Sequence, residues 1–201
     1  MNVTLLDYGA GNVTSVERAL RRLGAQVFTT NRPEAVAEAE RLILPGVGHC
    51  GALIAALDAH GLRQPLCDAI ARGTNFLGIC LGLQALYDAS DEAPSLAGLA
   101  LLPGRVTHLP PGVKLPHMGW NQLQRTNGSR LLNGISPEDY FYFAHSYAAP
   151  ASGPESTAVC EHGRAFIAVV EQRSIFGVQF HPEKSGAPGA KLLENFLTLP
   201  V

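Results

Sequence analysis

No stretch of the 201-residue chain strings together the roughly 18 apolar residues that a membrane-spanning helix requires. Residues 1–7 lack a basic region, and their apolar run is too short for a secretory signal, so none is expected. Charge is scarce and balanced: 15 Lys and Arg stand against 17 Asp and Glu, a formal net charge of -2. Neither nucleic acid nor an anionic membrane surface is therefore expected as a partner. Cysteine is sparse too. Cys50, Cys67, Cys80 and Cys160 are far apart, with no Cys-x-x-Cys pair. Without an export signal they read as free thiols of a reducing cytoplasm. No His-x-x-x-His and no Cys/His cluster has ligand spacing, so no metal is expected. The Walker and dinucleotide glycine patterns are also missing, and no cofactor is expected. There is no internal repeat and no low-complexity segment.

What the chain has is 46% apolar residues in short runs, enough to build one domain over 1–201. Residues 3–6 read as a buried strand, and 12–23 as a helix with Val13, Val16, Ala19, Leu20 and Leu23 on one side. Gly24 stops that helix. Strands at 25–29, 42–44 and 76–79 then alternate with helices at 33–39, 52–59, 65–71 and 83–89. Strands alternating with helices imply βαβ units, hence a parallel sheet covered on both faces. The second half reads mainly as strands, at 105–109, 119–125, 140–148, 157–161, 164–172 and 174–180. Connections such as Asn127-Gly128 and the turn at 152–154 give it an antiparallel flavour. A helix over 188–199 closes the chain.

Gly78-Ile79-Cys80-Leu81-Gly82 follows an apolar strand and precedes a helical pattern. It is the cysteine counterpart of the Gly-x-Ser-x-Gly nucleophile elbow. A sharp strand-to-helix turn strains the backbone at the central residue and tolerates only the smallest neighbours. A helix start behind Cys80 would favour thiolate, and the Leu81 amide would meet an oxyanion on the substrate. The same five residues also fit a buried structural cysteine between packing glycines. The strand-before, helix-after context favours the elbow. His181-Pro182-Glu183 lies just past an apolar strand and offers a base and its orienter. His60 and His162 sit beside glycines in turns and read as surface filler. Gly46-Val47-Gly48 follows another strand end. Its amides suit an anion, either a phosphate or, preferably, an oxyanion shared with Leu81.

These residues resemble the class I glutamine amidotransferases. The stretches 7–12 (DYGAGN), 45–48 (PGVG), 116–121 (PHMGWN) and 180–185 (FHPEKS) are similar to the glutaminase subunits of imidazole glycerol phosphate synthases. The resemblance runs from residue 7 to residue 196. It implies a flavodoxin-like α/β fold, a mainly parallel sheet flanked by helices with added antiparallel strands. It implies a Cys80–His181–Glu183 triad and an oxyanion hole at Val47 and Leu81, Val47 after a peptide flip. Gly46, Gly48, Gln84 and His145-Ser146-Tyr147 would hold L-glutamine. Ammonia would pass to a (β/α)8-barrel cyclase subunit docked at Asn12, Trp120, Tyr142 and Lys184. Three of these four also have a plainer reading: Trp120 as core, Tyr142 as strand packing, Lys184 as a solvated charge. The chain departs from the family at His49-Cys50, where Ala-Phe is expected, and at Ala144 and Ala148. Other readings are a glutaminase for a different acceptor, a γ-glutamyl hydrolase or cysteine peptidase on a related fold, and a non-catalytic scaffold. The intact Cys80, His181 and Glu183 count against the last.

Overall fold

The structure, a computed structural model, describes residues 1–125, 127–153 and 155–200. Pro154 of the expected turn and Val201 of the expected domain span lie outside the described residues. The chain runs β1 (Asn2–Leu6), α1 (Val13–Arg22), β2 (Gln26–Thr30), α2 (Pro33–Ala37), β3 (Arg41–Gly46), α3 (Cys50–Ala59), α4 (Arg63–Ala71), β4 (Asn75–Cys80), α5 (Leu81–Gln84) and β5 (Tyr87–Ser90). It continues through β6 (Leu102–His108), β7 (His117–Gln122), β8 (Gln124–Arg125), β9 (Tyr140–His145), β10 (Tyr147–Ala148), β11 (Ser156–Glu161), β12 (Ala165–Gln172) and β13 (Ile175–Val178). A 3-10 turn at Pro182–Lys184 leads into α6 (Gly186–Leu197).

An eight-stranded sheet has the order β2-β1-β3-β4-β13-β12-β11-β8. The pairs from β2 to β13 are parallel, and β12, β11 and β8 extend the sheet antiparallel. This is the expected mainly parallel sheet with antiparallel additions. The strands read as unbroken apolar runs because both faces are covered. Successive side chains alternate between two cores. Val3, Leu5, Ile43, Leu77 and Ile79 join one core with Val16 and Leu20 of α1 and Leu192 and Phe196 of α6. Leu6, Leu42, Leu44 and Phe76 join the other with Val36, Leu53, Leu57 and Leu66 of α2, α3 and α4. Leu42, Ile43 and Leu77 are fully buried, each contributing about 1.5–3 kcal/mol over exposure. That two-faced burial pins β3 and β4 side by side.

One expected element is wrong. The helix over 83–89 is a single four-residue turn, α5, and Tyr87–Ser90 is strand β5. Here tertiary pairing overrides helix propensity. β5 lies parallel to β6, and the Leu86 carbonyl accepts from the amides of Leu101 and Leu102 at 2.9 Å. Behind Cys80 there are accordingly only the few amides of one turn. The remaining elements fall within a few residues of expectation.

The turn after β4 closes directly onto its neighbours. A Cβ on Gly78 would sit 2.5 Å from the Gly82 carbonyl oxygen, and one on Gly46 would sit 2.6 Å from Leu81 Cβ. A Cβ on Gly82 would run into the Leu44 carbonyl. Gly82→Ala gains about 1 kcal/mol of helix propensity but must force α5 away from β3. A net loss of about 2 kcal/mol is expected from such overpacking. Urea denaturation of the variant reads it; an unchanged midpoint would contradict the packing argument.

Candidate functional site

Three adjacent parallel strands deliver their C-terminal ends to one edge of the sheet, where ligand sites of open α/β folds form. In the register Gly46 lies opposite Cys80, and Val178 lies opposite Ile79. Thus β3 leads to Val47 and Gly48, β4 to Cys80 and Leu81, and β13 to Gln179 and His181. Cys80 has φ 55 and ψ -104, the left-handed side of the map, which a non-glycine residue adopts at a cost of roughly 1–3 kcal/mol. The turn expected from the sequence is therefore present.

His181 is held by its backbone. Its amide donates to the Tyr142 carbonyl at 2.8 Å. Ser185 Oγ donates to the His181 carbonyl at 2.6 Å and accepts from the Tyr142 amide at 3.0 Å. The imidazole Nδ1 meets Glu183 Oε1 at 2.9 Å. A carboxylate only accepts, so Nδ1 carries the proton and Nε2 is left for Cys80. Asn12 Nδ2 donates to the same Glu183 oxygen at 2.9 Å. Glu183 Oε2 is buried and finds no partner among the described residues. Burial by itself would lower the His181 imidazole. Hydrogen bonds to Cys80 and Glu183, and their negative charge, outweigh it and push it up to about 10. Burial would raise the Glu183 carboxyl, but the His181 hydrogen bond and charge, helped by Asn12, hold it below its usual range. The site thus favours a charged pair, imidazolium beside carboxylate.

A cleft of about 180 Å³ opens over the sulfur. Val47, Gly48, Leu81, Gln84, His145, Ser146, Tyr147 and Lys184 all line it with Cys80 and His181. Gly46 does not; it packs beneath Leu81. Burial pushes the Tyr8 phenol up to about 12, against an opposing pull from the Val47 backbone. Glu183 and Asn12 stand behind His181, outside the cleft. Trp120 and Tyr142 form an outer cluster that Lys184, at the cleft rim, joins. Trp120 and Tyr142 pair across β7 and β9, with ring centroids 5.9 Å apart, and Lys184 Nζ lies 5.8 Å from the Tyr142 ring centroid. Trp120 is 55% exposed, beside Met118 at 63% and Tyr140 at 51%, so the core reading of Trp120 fails.

Sequence reasoning missed three participants. Glu92 lines the cleft, its Oε2 accepting from the Cys50 amide at 2.7 Å. Gln179 Nε2 lies 3.6 Å from Cys80 Sγ. A polar residue inside the apolar run 175–180 was the available signal for it. The third is a histidine cluster. His117 Nδ1 meets His145 Nε2 at 3.1 Å and its ring stacks on His162 at 4.2 Å, so His162 is not idle turn filler.

The order thiol, imidazole, carboxylate can form and hydrolyse a thioester, the chemistry of cysteine-dependent amide hydrolases. The family profile described as Glutamine amidotransferase class-I matches residues 4–199. An imidazole glycerol phosphate synthase subunit HisH of Methanothermobacter thermautotrophicus is 46% identical over 197 residues, 98% of each chain. The chloroplastic imidazole glycerol phosphate synthase hisHF of Arabidopsis thaliana is 42% identical over 200 residues, 97% of this chain and 34% of that longer one. A solved structure titled PurLQS from Thermotoga maritima superposes with a TM-score of 0.77 at 21% identity, over 98% of this chain and 97% of that one. It shares the fold. The chain belongs to the class I glutamine amidotransferases and, within them, to the HisH subunits of imidazole glycerol phosphate synthase.

The histidine cluster makes stability depend on pH. Burial lowers His117 to about 4 and His145 to about 3. Below pH 6.5 the unfolded chain binds protons that the folded one refuses. Each group therefore removes about 1.4 kcal/mol per pH unit as pH falls from 6.5 toward 4. His181, shifted upward, keeps its contribution throughout that window and loses it only as pH rises. Denaturant titrations at pH 6.5 and 5 should show His117→Asn losing less stability on acidification than wild type. Equal losses would contradict the assignment.

Proposed function

We propose that the protein hydrolyses L-glutamine to glutamate and ammonia through a thioester on Cys80, and hands the ammonia to the cyclase subunit of imidazole glycerol phosphate synthase. The observation that carries this reading is His181, bonded to Glu183 at 2.9 Å and set against Cys80 in a closed-backed cleft. The Cys80 thiolate attacks the side-chain amide carbonyl of glutamine. The oxyanion that forms is met by the Leu81 amide, at the first residue of α5, and by the Val47 amide once that peptide flips. Protonated His181 gives its proton to the amide nitrogen, the C–N bond breaks and ammonia leaves. Neutral His181 then takes a proton from water as hydroxide attacks the thioester, releasing glutamate and the sulfur.

Substrate recognition follows from charge. Glu92 suits the glutamine α-ammonium, and Gly48, Gln84 and the 145–147 segment frame the rest of the molecule. Gly46 acts beneath the site, by letting Leu81 pack close. The exposed Met118 and Trp120 and the half-buried Tyr142 give this face the aromatic and methionine make-up of a protein interface, and we assign them, with Lys184 and Asn12, to the cyclase, a (β/α)8 barrel. There ammonia reacts with a phosphoribulosyl-formimino aminoimidazole carboxamide ribonucleotide, giving imidazole glycerol phosphate and an aminoimidazole carboxamide ribonucleotide in histidine biosynthesis. Four free thiols support a cytoplasmic setting.

Glutamate release measured with and without the cyclase and its ligand tests the proposal. Activity is expected to depend strongly on the partner and to fall at least ~1,000-fold in Cys80→Ala. Activity that survives the substitution, or that is full in the isolated chain, would contradict it.

A further inference from the structure

The segment leading to His181 carries one polar side chain that the reaction above leaves unused. Gln179 is completely buried, and its amide bridges the gap between two site residues. Gln84 Nε2 donates to Gln179 Oε1 at 3.1 Å, and Gln179 Nε2 donates to Cys80 Sγ at 3.6 Å. Which end of an amide faces which neighbour must be argued from the network. Here the network starts at a group that only accepts, the Tyr147 carbonyl. It takes Gln84 Nε2 at 2.7 Å and His145 Nδ1 at 2.9 Å. The Gln84 nitrogen is thereby fixed where it also meets Gln179, so the Gln179 atom facing it is the oxygen. The atom facing sulfur must then be the nitrogen. Turning Gln179 over would set N–H against N–H at one end and oxygen against sulfur at the other, in a site with no exposure to relieve either.

The same carbonyl orders the imidazoles. His145 donates from Nδ1, so its Nε2 accepts from His117 Nδ1 at 3.1 Å. His117 Nε2 is then left to accept from Asn121 Nδ2 at 3.4 Å. Burial, which holds both rings neutral, agrees with this order. The Tyr147 carbonyl is thus braced from two sides.

We propose that Gln179 is a positioning residue whose amide N–H, oriented through Gln84 by the Tyr147 carbonyl, holds the Cys80 sulfur toward His181 and favours its anionic form. The proposal deepens the glutaminase reading and rests on it. An N–H stabilises a thiolate more than a thiol, because hydrogen bonds to charged acceptors are the stronger kind. The ionisable groups around the sulfur are His181 and His145, Tyr8 after β1, and Glu92 and Lys184 across the cleft. Gln179 adds a neutral donor to that set, so replacing it by an apolar residue leaves their charges alone.

The test follows the pH profile of Cys80 alkylation by iodoacetamide, mapped by mass spectrometry apart from Cys50, Cys67 and Cys160, in wild type, Gln179→Met and Gln179→Glu. Steady-state kcat and KM for glutamine are measured on the same chains with the cyclase. Gln179→Met is expected to move the half-maximal pH of alkylation up by about one unit and to lower kcat about tenfold, with KM moving less than kcat. Gln179→Glu keeps the heavy-atom shape and turns an acceptor on the sulfur, so it should move both further. Profiles and kcat equal to wild type in the folded variants would overturn the proposal. If Gln179→Met does not fold, Gln179→Glu alone decides by the same criterion. Alkylation reads the sulfur whatever the substrate is. A shifted profile in a chain whose wild type releases no glutamate would therefore overturn the glutaminase reading and not the role of Gln179.

Discussion

Backbone meets backbone where the turn at Cys80 closes onto β3, with Gly82 pressed against the Leu44 carbonyl and Gly78 beneath Gly82. Everything else in the site is measured from that contact. Because the strand ends can approach so closely, Gly46 pairs with Cys80 across the sheet, and the loop at Val47 and Gly48 arrives beside the sulfur. Because β13 pairs with β4 in register, His181 arrives on the other side. The two apolar cores, one on each face, supply the stability that lets Cys80 stay at a positive φ.

On that frame the electrostatics are arranged in two layers. Behind the sulfur, the fully buried Glu183 side chain holds His181 as a donor at Nδ1 and favours its positive form. A buried ion pair is costly to assemble and costlier to break, and Asn12 offsets part of the cost by a second bond to the same oxygen. To the side, the neutral network from Asn121 through His117 and His145 to the Tyr147 carbonyl carries polarity without charge. One layer prepares the proton transfers. The other orients the amides that line the cleft. The first meets β9 and the second meets β7 and β9, the antiparallel pair that also presents Trp120 and Tyr142 outward.

The parallel half of the fold was legible because strands buried on both faces leave continuous apolar runs. The elbow and the His181–Glu183 pair were legible because each lies within a few adjacent residues. What the residues concealed depends on contacts between distant segments. Residues 85–90 have the composition of a helix, and pairing with β6 makes part of them a strand. The size of Trp120 alone suits a core, and only its place on the two-stranded β7–β9 sheet shows it exposed. His162 joins His117 only because pairing of β11 with β12 carries their connecting turn to β7. The bond from Asn12 to Glu183, 171 positions away, adds a second contact that no local pattern announces.

The central claim is that this geometry makes Cys80, alone among four thiols, the nucleophile toward a glutamine side chain. The direct measurement is covalent labelling with a glutamine analogue bearing an electrophilic ketone in place of the amide, followed by peptide mass mapping of the complex with its cyclase. The account predicts a single adduct on Cys80, suppressed by excess glutamine and absent from Cys50, Cys67 and Cys160. Labelling of Cys50 in preference to Cys80, or labelling of Cys80 that glutamine does not slow, would contradict it.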